Sequence, residues 1–363
     1  LFRYNSEGSP AEKLEVEFAR TMGTRYALAV SSCSAALFLA LKSLDLPNGA
    51  RVLMPAFTFA AVPSSVVHAN FIPVLCECGD DYRIDLNDFR KKIKKADAVL
   101  ISHMRGHTSD MDVIISECKQ AKIPLIEDAA HSLGTTWHGN KIGTLGDAGC
   151  FSFQSYKMLN AGEGGIFVTD NAELFAKAVI MSGAYEHNWM KHQGEHASFK
   201  KWQNKLPLYN MRINNLSAAI IRAQLPELNK RIEKGRHNHD FTAERLNRSP
   251  WICVPEKLRP ETRAPDSIQF NLIDMNSGEI DLFEKITSLS GLNIQIFGRT
   301  KNNARAFWNW KFLPETFELP KTRKMLMTAC DVRLPPKLSQ DECRNISDVI
   351  LSAIMTIKNG VAA

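Results

Sequence analysis

An α/β protein with a mostly parallel central sheet flanked by helices is the reading that this 363-residue sequence supports. Three observations carry it. Short apolar runs recur through the first half of the chain at lengths that suit buried strands. Helical patterns lie between most of the early runs, as the crossovers of a parallel sheet require. Small capping residues and glycines stand where one element hands over to the next.

Taken in order, Ser9-Pro10-Ala11-Glu12 reads as a capping box with Pro at the first helical position. Leu14, Phe18 and Met22 follow at helical spacing until Gly23. Residues 26–30 form a short apolar strand, and Ser31-Ser32-Cys33-Ser34 then caps an apolar helix at 35–44. Strand, small-residue turn and helix together make the geometry of an anion site. Further strands are predicted at 51–54, 71–76, 98–102, 124–127, 150–153 and 165–169. The segment 183–208, rich in His, Trp, Lys and Glu, has no clean period and reads as an exposed loop or an active-site cover. A helix at 215–234 follows. Beyond it come a strand at 267–274, a helix at 279–289 and a terminal helix at 340–358, a smaller α+β pattern. The expected division is a large α/β domain at 1–235 and a small domain at 236–363.

Hydrophobic residues make up 44% of the chain, enough for a sizeable core, so disorder is excluded as the dominant state. Lys plus Arg number 45 against 39 Asp plus Glu, and the +6 balance is spread along the chain with no basic tract. That leaves a nucleic-acid role without support but keeps anionic small substrates open. No apolar run approaches the roughly 20 residues that span a bilayer. The opening Leu1-Phe2-Arg3-Tyr4 has no secretory pattern, and no membrane segment is expected. Eight cysteines without a CxxC pair read as reduced core residues of a cytoplasmic protein, and no metal site is expected.

The chemistry concentrates between Ile126 and Asp170. Asp128 closes an apolar run, and ligands of open α/β sheets gather beyond the carboxyl ends of such strands. Lys157 lies 29 residues later, between the apolar run ending at Phe153 and the glycine turn Gly162-Glu163-Gly164-Gly165, which brings backbone close. An aspartate at a strand end also serves as a plain helix cap, so the pair alone leaves both readings open.

The blocks SSCSAAL, VLMPAFTF, IPVLCEC, LIEDAAHSLG, GTLGDAGCFSFQSYK, GEGGIFVTD and YNMRINNLSAAI stand in the order of one known family. On them the sequence resembles the DegT/DnrJ/EryC1/StrS sugar aminotransferases, enzymes of the fold-type I class that use pyridoxal 5′-phosphate and its pyridoxamine form. The resemblance covers about residues 9–235. It implies that Lys157 forms the Schiff base and moves the proton, and that Asp128 faces the protonated pyridine nitrogen. It places His131 near the 3′-oxygen, Phe59 against the ring, and Cys33, Ser34 and Ser152 around the phosphate. The family commonly has Gly-Thr where this chain has Cys33-Ser34, and Gly where it has Leu208. Asn210 and Arg212 match an Asn-x-Arg whose Asn reaches a phosphate in a partner subunit, which implies a homodimer.

The implied reaction moves an amino group from glutamate or glutamine to a keto- or aldehyde-bearing sugar. Nucleotide-linked hexoses, aminocyclitol precursors and an eight-carbon keto-deoxy sugar acid are all candidate acceptors. Two other readings remain: a sugar dehydratase of the same family, which carries His at the lysine position, and a cofactor-binding protein without turnover. Lys157 argues against the dehydratase. Arg3, Arg105, His107, His187 and Arg299 are the candidate contacts to a polar, anionic acceptor, because Arg presents a planar fork to carboxylate or phosphate.

Overall fold

The computed structural model describes residues 8–313 and 315–360. The first helix, Pro10–Met22, starts where the capping pattern places it: the Ser9 hydroxyl accepts from the Glu12 amide at 3.3 Å, and Gly23 ends the helix with φ of 78°. The Glu12 carboxylate turns to the Gly8 amide, so the reciprocal half of the expected box is made one residue earlier.

Nine strands follow in the first 170 residues: β1 (Tyr26–Val30), β2 (Arg51–Pro55), β3 (Ile72–Cys76), β4 (Ala98–Ser102), β5 (Leu125–Asp128), β6 (Thr136–Trp137), β7 (Asn140–Lys141), β8 (Ala148–Ser152) and β9 (Gly165–Thr169). Seven of them form one sheet in the order β1-β9-β8-β5-β4-β2-β3. Only β9 runs against the rest, pairing antiparallel with both β1 and β8. Successive residues of each strand enter two different cores, as a two-residue repeat dictates. Leu28, Val30, Val52, Met54 and Leu100 pack on one face, while Ala27, Ala29, Leu53, Val99 and Ile101 pack on the other. Both faces are therefore covered, which is why these strands read as continuous apolar runs.

The helix expected at 215–234 is two helices. Asn215–Gln224 gives way to a 3-10 turn at Leu225–Glu227, where Pro226 lacks the N–H an unbroken helix would need, and Leu228–Leu246 then runs on through residue 236. Past that helix come β10 (Ile252–Cys253), β11 (Glu261–Thr262), β12 (Ser267–Leu272), β13 (Gln295–Ile296) and β14 (Ala329–Arg333). An antiparallel sheet of order β10-β12-β14-β13 packs with Ser277–Leu289 and Gln340–Lys358 around a third core that includes Phe270, Phe283, Ile350 and Ile354. β11 leaves this region to pair with β6, tying the later part of the chain to the large sheet's connections.

Segment 183–208 is not a plain exposed loop, and none of its residues lines the cavity at the carboxyl ends of the central strands. It folds into a 3-10 turn at Asn188–Lys191 and a helix at His196–Trp202. Trp189 stacks on Phe199 at 5.4 Å, and His192 Nδ1 lies 2.8 Å from the buried Glu15 carboxylate. The absence of a clean period reflects aromatic anchors that are spaced for packing on Ala172–Met181 and not for a single helix face. All eight cysteines are free; Cys253 is exposed, against the expectation of a core residue, because it lies on the short edge strand β10. Among the described residues no helix is long and apolar enough to cross a membrane, and no group of three or more His, Cys, Asp or Glu is placed to hold a metal ion.

Candidate active site

The carboxyl ends of β1, β2, β4, β5 and β8 open on a cavity of about 770 Å3. Each of these strands delivers a side chain to it: Cys33 and Ser34 after β1, Phe59 after β2, Arg105 after β4, Asp128 from β5 and Ser152 from β8. His131 and Lys157 complete the set. Eight of the residues selected from sequence thus share one space.

Asp128 is buried at the last position of β5. Its Oδ2 accepts a 2.6 Å hydrogen bond from the Ser102 hydroxyl at the end of β4, and that hydroxyl accepts one of 2.8 Å from Thr58. Its Oδ1 accepts from the Ala130 amide at 3.1 Å. These donors fix the carboxylate's orientation and offset the cost of burying it. Neither Ser102 nor Thr58 was selected from sequence; the available signal was a hydroxyl ending the apolar run of β4, a neighbour of β5 in a parallel sheet.

Lys157 sits in a loop tied across its base, where the Phe153 amide donates to Gly164 O at 2.8 Å and the Ser155 amide to Gly162 O at 3.0 Å. Its Nζ lies 2.9 Å from His131 Nε2. Burial, with the positive Arg105 nearby, pulls the amine from 10.5 down to about 8. Burial and Lys157 push the imidazole well below its usual range, so His131 is neutral at pH 7 and offers the amine an acceptor. The thiol of Cys33 lies 3.9 Å from Asp128 Oδ1, and burial beside that carboxylate holds it well above the ordinary thiol range, so it stays protonated.

The helix Cys33–Ser43 points its first turn at the cavity, with Ser32 as cap accepting from Ala35 N at 3.1 Å. The Cys33 and Ser34 amides stand at the first helical positions and have no acceptor inside the helix. Glycine at 165 permits this arrangement: a Cβ there would lie 2.2 Å from the Ser32 carbonyl carbon.

Five candidates fall elsewhere. His107 is buried with Nε2 2.9 Å from Gln269 Oε1, and its ring packs edge-on against Tyr82, so it is held in the interior and not in the cavity wall. His187 is exposed beside Trp189. Arg299 is consumed by the helix Ser277–Leu289, donating to Ser277 and pairing with Asp281. Asn210 is exposed, and Arg212 donates to Gly183 O at 2.8 Å; neither lines this chain's cavity. Arg3 lies outside the described residues. Conversely, Arg305, Asp331 and Arg333 line the cavity without having been selected. The alternation Asp331-Val332-Arg333 on β14 was the sign, but that strand was not read from the sequence.

A lysine with a lowered pKa, a buried carboxylate and an open helix start in one cavity form a donor set suited to a phosphorylated aldehyde cofactor with a basic ring nitrogen. The residues present fit pyridoxal phosphate. A model of the DegT/DnrJ/EryC1/StrS aminotransferase family matches residues 3–351, and the chain belongs to that family of pyridoxal-phosphate-dependent aminotransferases. The match runs past residue 235 and takes in most of the smaller region. The chain is 32% identical to the spore coat polysaccharide biosynthesis protein SpsC of Bacillus subtilis, over 98% of this chain and 91% of that one. It is 34% identical to GDP-perosamine synthase of Vibrio cholerae, over 64% of this chain and only 61% of that enzyme's length. The crystal structure of the aminotransferase TlmJ from Streptoalloteichus hindustanus superposes over 97% of this chain and 92% of that one, with a TM-score of 0.85 at 19% identity. The architecture is that of a fold-type I aminotransferase.

Proposed function

We propose that this chain transfers an amino group from glutamate or glutamine to the carbonyl carbon of a sugar, with Lys157 as the residue that carries the cofactor and moves the proton. The observation that supports this most is the lowered amine of Lys157, 2.9 Å from a neutral His131 in the cavity that also holds Asp128. Pyridoxal phosphate, when bound, supplies an aldehyde that takes up the amino group and a ring that withdraws electrons from the reacting carbon.

The protein's part follows from its own groups. Above about pH 8 the free Lys157 amine is largely neutral, and it is then both nucleophile and base. His131 accepts a hydrogen bond from that amine and orients it. Asp128, steadied by Ser102 and the Ala130 amide, would face a ring nitrogen and hold its proton. The Cys33 and Ser34 amides with the Ser152 hydroxyl would hold the phosphate, and Phe59 would lie against the ring.

The acceptor is a polar, hydroxyl-rich and anionic sugar; an eight-carbon keto-deoxy sugar acid and a nucleotide sugar fit this description, whereas an aminocyclitol precursor is hydroxyl-rich but neutral. The name of the Vibrio relative supports a nucleotide-linked sugar as the acceptor, and that of the Bacillus relative supports a role in polysaccharide synthesis. Asn210 and Arg212 lie outside their own cavity, which supports a homodimer in which they reach a neighbouring site, in a cytoplasmic enzyme. The test is to mix the holoenzyme with glutamate and follow the cofactor's visible absorbance. Loss of the band, with 2-oxoglutarate released, is expected; an unchanged band with glutamate and glutamine alike would sink the proposal.

A further inference from the structure

We propose that Arg305, flanked by Arg105 and Arg333, forms a subsite for a carboxylate carried by a substrate in this cavity. The inference rests on the aminotransferase reading and adds to it the group that the cavity selects. Three guanidinium groups line the same space. Arg105 is committed to Asp331, and Arg333 is paired with Asp266, with 3.1 Å between Nη2 and Oδ2. Arg305 forms no ion pair among the described residues. Among the described residues its one hydrogen-bond acceptor is the neutral Gln295 Oε1, at 3.1 Å from Nη1, and its Nε is buried without an acceptor. The Nε of Arg105, a residue only 6% exposed, is likewise buried with no acceptor. Buried donors left in this state are costly unless a ligand completes them.

The setting also fixes the fork's position. The Phe59 and Phe297 rings each lie 5.6 Å from the Arg305 guanidinium carbon, and aromatic contacts of this kind hold a guanidinium without using its hydrogen bonds. Burial and the nearby Arg105 bring Arg305 down to about 10, which leaves it charged at pH 7 in surroundings short of negative charge. Asp331 is the nearby carboxylate, but it is bonded to Arg105 and to Gln269, whose Nε2 donates to it at 2.7 Å, and it forms no ion pair with Arg305. The backbone contributes as well: Arg105 has φ of 56° and ψ of 22°, an uncommon state for a residue with a Cβ, immediately before Gly106 at φ of 83°.

The cofactor's own phosphate is served elsewhere. Ser34 follows β1, and Ser152 ends β8, whereas Arg105 follows β4 and Phe59, which meets Arg305, follows β2. Asp128 on β5 lies between these groups in the sheet order. The Arg wall is thus free for the substrate, and a planar carboxylate suits the fork of Arg bidentately. Both the amino donor and an acidic sugar acceptor bring such a group, and they would use the cavity in turn.

The probes are D-glucuronate, a sugar with a carboxylate, and D-glucuronamide, its neutral counterpart. Their binding to the holoenzyme is measured by calorimetry at two ionic strengths. Glucuronate is expected to bind at least about 10-fold tighter, as a charge-assisted pair implies, with the preference weakened by salt. Arg305→Gln should bring the two within about 2-fold, and Arg305→Lys should keep part of the difference. Equal or undetectable binding of the two by the wild-type holoenzyme overturns the subsite without recourse to any variant. A full preference surviving in Arg305→Gln overturns its assignment to Arg305. The rate at which glutamate changes the cofactor absorbance separates the sources. A fall in Arg305→Gln alongside the lost preference assigns the subsite to donor and acceptor in turn, and an unchanged rate assigns it to the acceptor alone. If the wild-type cofactor band ignores glutamate while the glucuronate preference is present, the aminotransferase reading fails and the carboxylate subsite stands.

Discussion

The lowered amine of Lys157 has a consequence for stability as well as for chemistry. Its folded-state value is about 8 against an ordinary 10.5, so between these values the unfolded chain binds more protons than the folded one. Stability of the cofactor-free protein should rise with pH through that window. Lys157→Met should remove this residue's share of the rise and melt higher than wild type at pH 7. Thermal melts from pH 7 to 10.5 check it, and parallel curves for the two proteins would contradict the assigned burial. Turnover should fall by at least about 10^3 in Lys157→Ala, the scale of a lost general base, with the far-ultraviolet spectrum retained. Ser102→Ala removes the 2.6 Å donor to Asp128, and kcat should drop about 10- to 100-fold with a displaced pH profile. A profile identical to wild type would mean that Ser102 does not position the carboxylate.

At the scale of elements, the parallel strands were legible because burial on both faces makes them uniformly apolar. The ends of 26–30, 98–102 and 165–169 coincide with β1, β4 and β9. Elements held by tertiary contacts were not legible. The turn at Leu225–Glu227 depends on one proline within a periodic pattern, and the helix His196–Trp202 depends on aromatic packing. The site followed the same division. Residues at strand ends and glycine turns were found, whereas Arg305 and Arg333 come from a region whose local pattern is weak. The contact between β9 and the first turn of Cys33–Ser43 also yields a test. Gly165→Ala would put a Cβ against Ser32 backbone, where no flexible side chain can give way. Cofactor affinity should weaken at least about 10-fold, corresponding to ~1.4 kcal/mol, in a fluorescence titration. An unchanged affinity would show that the helix start is not the phosphate site.

For the whole molecule, two regions close on one cavity: the large sheet supplies Asp128, Ser152 and Lys157, and the later region supplies Arg305, Asp331 and Arg333. Asn210 is exposed on a loop whose Met211 carbonyl accepts from the Ser31 amide at 2.8 Å, next to the helix start. Sedimentation should show a dimer, and Asn210→Ala should weaken cofactor binding by about 10-fold while leaving the dimer intact. A fully active monomer would refute this. Borohydride reduction of the holoenzyme followed by peptide mapping identifies the lysine that carries the cofactor in this cavity. The label should fall on the peptide containing Lys157 and be absent from Lys157→Ala; a stoichiometric label on any other lysine would contradict the account.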